Sequence, residues 1–434
     1  MSYILYPHFS INDRGHLTVR GLDTVSLAEQ YGTPAYILDE QYIRDMCRLY
    51  KSSMQKHFGD DSEPLFASKA LSFRQIYRIV KSEGMSIDVV SPGELYTALS
   101  ADFDASRIYF HGNNKTDADL SFAVNEGVGV IVCDNYEEIA SLESLCEKSG
   151  KNQRIYLRIT PGIDPHTHRK IITGSVDSKF GTPISTGQAL EIVKYALKQP
   201  HLELYGLHCH IGSQIFDVSP FADAADIMMR FIAEIRDKTG HTIRALNLGG
   251  GFGVRYTEDD PAIDYDAMIG VLASHVKALA GELGVAMPHI NLEPGRSIVA
   301  GAGLTLSTVG TVREIPSFRN YVSVDGGMPD NPRYTLYGSI YTPVIANRAS
   351  EIADYPCTIA GRCCESGDLL AENAKLQRCS RGDILAVLVT GAYNYSMASN
   401  YNRIPRPPVV IVKDGTSYVA VERESYSDLI RLDK

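Results

Sequence analysis

Three kinds of ionisable residue stand at the ends of apolar runs in this chain. Lys69 closes Leu65-Phe66-Ala67-Ser68, Glu293 closes His289-Ile290-Asn291-Leu292, and His208 and His210 flank Cys209 after Tyr205-Gly206-Leu207. An ammonium at the end of a buried segment is costly unless it is paired, shifted in pKa or covalently engaged. The plain reading of Lys69 is a surface lysine just past its strand. The reactive one is an amine that reaches its neutral form and attacks an aldehyde as a Schiff-base lysine. Gly249-Gly250-Gly251-Phe252-Gly253 is either a tight turn or a place where backbone N–H groups approach a phosphate. Arg296, three residues past Glu293, adds a charge for that phosphate or for a substrate carboxylate. Glu293 is either half of an ion pair with Arg296 or a neighbour, or the partner of a protonated pyridine nitrogen in pyridoxal phosphate. The second role keeps that ring a strong electron sink. A lysine, a phosphate cradle and a pyridinium partner together specify this cofactor better than any one of them.

His208 and His210 share a strand face, which also suggests a metal hydrolase. Such a site needs further ligands at consistent spacing, and His111, Asp134 and His166-Thr167-His168 offer candidates without a pattern. No metal is therefore expected. The favoured reading has one histidine flat on the cofactor ring and the other hydrogen-bonded in the core. Nearer the C-terminus, Cys363-Cys364-Glu365-Ser366-Gly367-Asp368 combines thiols, carboxylates and turn residues, although a buried inert cysteine is the usual fate of such a thiol. Gly391-Ala392-Tyr393-Asn394-Tyr395 and Asn400-Tyr401-Asn402-Arg403 are too rich in polar and aromatic groups for a mere connection.

Positioning these groups requires a frame, and eight runs supply it. Besides the three above, they are Ser86 to Val90, Arg107 to His111, Val128 to Asp134, Ile155 to Arg158 and Ala245 to Leu248. Helical periodicity follows most of them, in Gly93 to Leu99, Tyr136 to Glu147, Gly187 to Lys198 and Pro220 to Lys238. Short apolar strands alternating with amphipathic helices predict an α/β fold, a (β/α)8 TIM-type barrel with its chemistry at the carboxyl ends of the strands. After about Ala300 the texture becomes β-rich, with Asp414-Gly415 as a hairpin turn into Ser417 to Val421. The expected organisation is a barrel over residues 40–300 and a discontinuous β domain from 1–39 and 301–434, Greek-key or sandwich-like and completed by the N-terminal segment. The strands around Asn12-Asp13-Arg14-Gly15 are expected to join that β domain.

With 434 residues, 44% of them hydrophobic, the chain can bury a barrel core and still supply a second domain. A net charge of -10 disfavours nucleic acid or an anionic membrane as the main partner, so a small molecule is expected. Met1 to Ser10 contains no basic region leading into an apolar run, and no apolar stretch approaches bilayer length, so a cytoplasmic location is expected. The eight cysteines include no Cys-x-x-Cys pair, which points to reduced thiols.

Nearly the whole chain resembles the diaminopimelate decarboxylase family, pyridoxal-phosphate enzymes of the alanine-racemase-like barrel type. The segments that carry the resemblance are Asp88 to Leu95, His111 to Lys115, Asp177 to Gly181, His208 to Gln214, Glu293-Pro294-Gly295-Arg296, Asp330 to Arg333, Cys364 to Asp368 and Gly391 to Arg406. The resemblance implies that Lys69 forms the Schiff base with pyridoxal 5'-phosphate and that His210 stacks on its ring. It implies that Ser213, Gly250, Gly251, Arg296 and Tyr393 hold the phosphate, that Glu293 binds the pyridine nitrogen, and that Asp88 and Gly295 belong to the same cofactor site. Arg296, Arg333, Tyr337 and Tyr393 would receive substrate, Glu365 the distal ammonium, and Cys364 would return a proton after loss of carbon dioxide. A homodimer with shared active sites follows from the family, the cysteine loop coming from the partner. The departures are Ser68 and Leu71, where many relatives have valine and asparagine, and Tyr334, where proline is common.

The reaction so implied is decarboxylation of meso-2,6-diaminopimelate to L-lysine. One rival keeps the cofactor but acts on D-lysine, D-ornithine, L-ornithine, L-arginine or carboxynorspermidine. Arg333 with Glu365 speaks against it, since the pair suits a distal carbon that carries both a carboxylate and an amine. A second rival is a non-catalytic relative that binds another protein, against which intact Lys69, Glu293 and Cys364 argue.

Overall fold

The computed structural model describes residues 4–60, 62–163 and 178–434; His166-Thr167-His168 and Asp177 lie outside them. The described residues divide into two compact units. One covers Met46–Gly253 and Ile263–Gly295, the other the chain up to Asp45, Val254–Ala262 and Arg296–Lys434.

Among the described residues of the first unit, eight parallel strands form the barrel. They are β1 (Ser62–Ala67), β2 (Ser86–Val89), β3 (Ile108–Phe110), β4 (Val130–Cys133), β5 (Gln153–Thr160), β6 (Leu202–His208), β7 (Ala245–Asn247) and β8 (His289–Leu292). Each pairs with the next, and β8 returns to β1 with Ile290 opposite Ser62 and Leu292 opposite Pro64, which closes the ring. Every residue of β2, β3, β4 and β7 is buried. Burial on both faces is why these strands read as unbroken apolar runs and not as alternating ones. Leu65, Tyr109, Val130, Val132, Tyr156 and Ala245 pack inside, with Tyr205 against them. The leucine and valines among them each contribute about 1.5–3 kcal/mol by leaving water.

The helices are started and stopped by local chemistry. Ser91 caps Pro92–Leu99 by accepting from the Glu94 N–H, and Pro92 sits where no N–H is needed. Thr116 and Asp119 form a capping box at Asp117–Glu126, and Gly127 ends that helix in the left-handed conformation. Lys69 departs slightly from expectation. It lies in a single 3-10 turn, Ser68–Ala70, just after β1 and not in the strand itself.

The second unit is built on the 13-residue strand Gly303–Ile315. Its first half runs between Ala35–Asp39 and Ile384–Leu388, and its second half pairs with Arg319–Val324. Ala35–Asp39 pairs in parallel with Val409–Lys413, which turns through Asp414 (φ 48°) and Gly415 (φ 73°) into Thr416–Val421. Two successive positive φ values are what the predicted Asp-Gly hairpin requires. Arg319–Val324 continues through Tyr355–Ala360 to Leu369–Leu376. The N-terminal segment therefore completes the sheet, but only through Ala35–Asp39. The expected early hairpin, Phe9–Ile11 with Leu17–Val19, does form; with Leu22–Asp23 it makes a separate three-stranded sheet instead of joining the large one. Leu17 and Val19 are fully buried beneath it, so it has an apolar footing of its own. Among the described residues no helix is long and apolar enough to cross a membrane.

Candidate active site

At the carboxyl end of the barrel, Glu293 is buried and faced by three polar side chains. Asn247 Nδ2 donates to Oε1 at 2.7 Å, His111 Nε2 lies 3.0 Å from Oε1, and His208 Nε2 lies 3.3 Å from Oε2. Four strand ends supply this cluster, β3, β6, β7 and β8. Burial alone would raise the Glu293 carboxyl, but the two imidazoles beside it outweigh that and hold its pKa well below the usual range. Burial also lowers His208 to about 4, against the pull of Glu293, and lowers His111 in the same way. Neither His111 Nε2 nor His208 Nδ1 makes a hydrogen bond. A carboxylate offers roughly four acceptor positions, and Asn247 and His208 occupy two of those on Glu293, so acceptor capacity remains for a further N–H. The ligand atoms of His111, His208 and Glu293 also lie within 4.8 Å of one another, close enough to hold an ion.

Lys69, His210, Asp88 and Glu293 line one cavity of about 330 Å³ together with His111, His208 and Arg158. The Lys69 side chain is exposed while Ser68 and Ala70 on either side are fully buried, so its amine is presented to the cavity from an anchored turn. Gly295 packs beneath that turn: a Cβ there would lie 2.8 Å from the Ala67 Cβ. His210 is pushed well below the usual histidine range by burial, with the Lys69 charge in support, so the cavity presents it as a neutral flat ring. Asp88 is raised well above the carboxylate range by burial and by the Glu293 charge, and its Oδ1 makes no hydrogen bond. Arg158, from the end of β5, stacks its guanidinium 4.2 Å from the Phe180 ring, while Gly181 N–H donates to Asp134 Oδ2 at 3.0 Å. These contacts hold the described part of the Asp177-to-Gly181 motif at the cavity wall.

The glycine cluster follows β7 and is wedged between two other strand ends. A Cβ on Gly250 would meet the Glu293 carbonyl oxygen at 2.0 Å, so only glycine fits there. Glu293 N–H donates to the Gly249 carbonyl, and Ile215 N–H donates to that of Gly251. Among the described residues the Gly250 and Gly251 N–H groups make no backbone hydrogen bond. The loop that carries Ser213 lies beside them, tied by the bridge between Ile215 and Phe252.

The second unit holds its own cluster. Arg296 is buried, donates from Nη1 to the Tyr256 hydroxyl at 2.7 Å, and lies 4.6 Å from the Tyr393 ring. Arg333, also buried, lies 5.2 Å from the Tyr393 ring and 4.9 Å from that of Tyr337. Arg333 has no carboxylate partner among the described residues and its Nε makes no hydrogen bond. Tyr393 adopts a left-handed backbone (φ 60°), a strained conformation of the kind that collects at ligand clamps. Cys364 and Glu365 are exposed on a turn, with Cys364 N–H donating to Asn402 Oδ1 at 2.8 Å.

The structure thus gathers Lys69, Asp88, His210 and Glu293 in one cavity and Arg296, Arg333, Tyr337 and Tyr393 in one cluster. Two contributors escaped the sequence reading. Asn247 carried a signal, a lone amide inside a buried apolar strand, which must find a partner. Tyr256 carried none.

Known proteins resemble the chain in sequence and in fold. Residues 42–300 match the model of the pyridoxal-dependent decarboxylase pyridoxal-binding domain. The chain is 47% identical to the diaminopimelate decarboxylase of Bacillus subtilis (strain 168) over 97% of its own length and 96% of that protein's. It is 43% identical to the Staphylococcus aureus (strain COL) enzyme over 96% and 98%. Among solved structures, the M. jannaschii diaminopimelate decarboxylase in complex with L-lysine superposes with a TM-score of 0.90 at 32% identity, covering 99% of this chain and 98% of that one. The chain belongs to the diaminopimelate decarboxylase family of pyridoxal-dependent decarboxylases.

Proposed function

We propose that the protein removes carbon dioxide from the D-configured centre of meso-2,6-diaminopimelate to give L-lysine, with pyridoxal 5'-phosphate as its cofactor. One observation carries the reading. An accessible Lys69 amine shares a cavity with an ionised Glu293 that has acceptor capacity left. The residues present fit that cofactor. Lys69 would take the aldehyde, Glu293 would receive the ring N–H, and His210 would face the ring, with Asp88 and Gly295 in the same site. Gly250 and Gly251 N–H groups, Ser213, Arg296 and Tyr393 would receive the phosphate. When bound, pyridoxal phosphate supplies the sink for the electron pair left on the α-carbon as carbon dioxide departs.

The chain's own residues do the rest. Arg333 and Tyr337, with Arg296 and Tyr393, hold substrate carboxylate, and Glu365 holds the distal ammonium. The Cys364 thiol delivers a proton to the α-carbon. Asn247, His111 and His208 fix the Glu293 carboxylate, so that its orientation costs no reorganisation during the reaction. The exposed Cys364–Glu365 turn supports a homodimer in which each subunit lends that turn to the other's site. The domain that binds the cofactor spans residues 40–300, the β domain 1–39 and 301–434, and the enzyme acts in the cytoplasm.

The test is carbon dioxide release by the cofactor-loaded protein from meso-diaminopimelate, D-lysine, L-ornithine and L-arginine. The reading requires kcat/KM for meso-diaminopimelate to exceed the others by about a hundredfold or more, because a distal carboxylate missing from the substrate leaves Arg333 buried and unpaired. Equal or greater release from a substrate without that carboxylate would reject it.

A further inference from the structure

We infer that Asp368 is a positioning residue that sets the Cys364–Glu365 turn by tying it to the Met328–Arg333 segment. The significance of that tie rests on the roles proposed above for Cys364 and Arg333; its geometry does not.

Asp368 is almost fully buried, and its two carboxylate oxygens serve two different stretches of chain. Oδ1 accepts from Met328 N–H at 2.6 Å and Oδ2 accepts from Cys363 N–H at 2.7 Å. The backbone reinforces both ends. Gly361 N–H donates to the Asp368 carbonyl, Asp368 N–H to that of Glu365 and Arg362 N–H to that of Gly326. Beyond Met328, the Asp330 and Asn331 N–H groups both donate to the Gly327 carbonyl and lead directly into the short helix Arg333–Tyr337. The space for the carboxylate is made by an absent side chain. A Cβ on Gly361 would lie 2.2 Å from Oδ2.

A single carboxylate that accepts two backbone N–H groups from separate loops fixes their relative position more tightly than either loop's own turn. Charge on the acceptor makes both bonds short and strong. Cys364 follows the clamped Cys363 directly and its own N–H is held by Asn402 Oδ1, so its thiol direction depends on where both N–H groups are held. Asp368 needs no contact with substrate for this work. It acts through the residues that it places, and a displacement of about 1 Å at a reacting group lowers rate by about a hundredfold.

Asp368→Asn separates positioning from general stability. The amide keeps the shape but can accept at only one end, so one of the two N–H groups faces an NH2 group. Three measurements on the cofactor-loaded protein are made: the visible spectrum of the bound cofactor, kcat and KM for meso-diaminopimelate, and the alkylation rate of Cys364 by iodoacetamide, located by peptide fragmentation. The expected result is an unchanged spectrum, kcat lower by about 10- to 100-fold, and an alkylation rate at Cys364 altered several-fold. If Asp368→Asn does not accumulate as folded protein, Asp368→Glu, which keeps both acceptors on a longer arm, is measured in the same way. Unchanged kcat, or a fallen kcat with wild-type alkylation at Cys364, would overturn the assignment. Failure of the wild-type protein to release carbon dioxide would count against the proposed function instead, and the alkylation arm would still decide whether Asp368 sets the turn.

Discussion

Asn247 and Glu293, 46 residues apart in sequence, meet at 2.7 Å at the end of adjacent barrel strands, with the amide donating to the carboxylate. Asn247 also accepts from the Gly249 N–H at 2.8 Å, so one side chain fixes both the Glu293 carboxylate and the first residue of the glycine cluster. Replacing it by alanine removes a hydrogen bond to a buried charge, which costs about 1.5–3 kcal/mol. The expected outcome for Asn247→Ala is a loss of kcat/KM of about tenfold to a hundredfold together with weaker retention of pyridoxal phosphate on dialysis. Steady-state kinetics and cofactor absorbance check both.

The histidines around Glu293 make stability sensitive to acid. His208 is held near 4, below its ordinary value of 6.5, so over that interval the unfolded chain binds a proton that the folded one does not. Stability therefore falls as pH drops from 6.5 towards 4, by an amount of the order of 3 kcal/mol from this residue. Glu293 is depressed, so its contribution persists through the same interval and is lost only at lower pH. His208→Gln keeps an N–H donor for Glu293 and removes the titration. Urea midpoints measured at pH 7 and pH 5 should fall less between the two in the variant than in the wild type.

Gly250→Ala tests the close approach of two strand ends. The added Cβ would lie 2.0 Å from the Glu293 carbonyl oxygen, so one backbone must move. The expected cost is about 3 kcal/mol or more, at the upper end for overpacking. Denaturant unfolding measures that cost. Because the displaced backbone carries Glu293, cofactor affinity should fall as well, as read by absorbance titration.

The barrel was legible because its strands are buried on both faces, which leaves continuous apolar runs that end where the chain meets solvent. Lys69, His208 and Glu293 announced themselves as ionisable groups at those ends. The cluster around Glu293 was not legible in the same way. His111, His208 and Asn247 converge only through the register of neighbouring strands, and register between parallel strands leaves no local trace. Asn247 alone gave a hint, as an amide in an apolar strand. Tyr256 gave none, because it lies outside every strand and helix and only the fold brings it to Arg296. The early hairpin shows a similar limit. Its turn chemistry at Asn12 was readable, while its choice of a separate sheet depended on which apolar surface it found. The Cys364-to-Asp368 motif was recognisable by resemblance, but the reach of Asp368 across to Met328 was not.

The most direct measurement combines turnover with the site of cofactor attachment. Wild-type protein loaded with pyridoxal phosphate is reduced with borohydride, digested and mapped by mass, and a parallel unreduced sample is assayed for carbon dioxide release from meso-diaminopimelate. The expected result is a reduced pyridoxyl group on Lys69 and equal yields of L-lysine and carbon dioxide, with both the label and the turnover lost in Lys69→Ala. Normal turnover by Lys69→Ala, or a label on a different lysine of the active wild type, would contradict it.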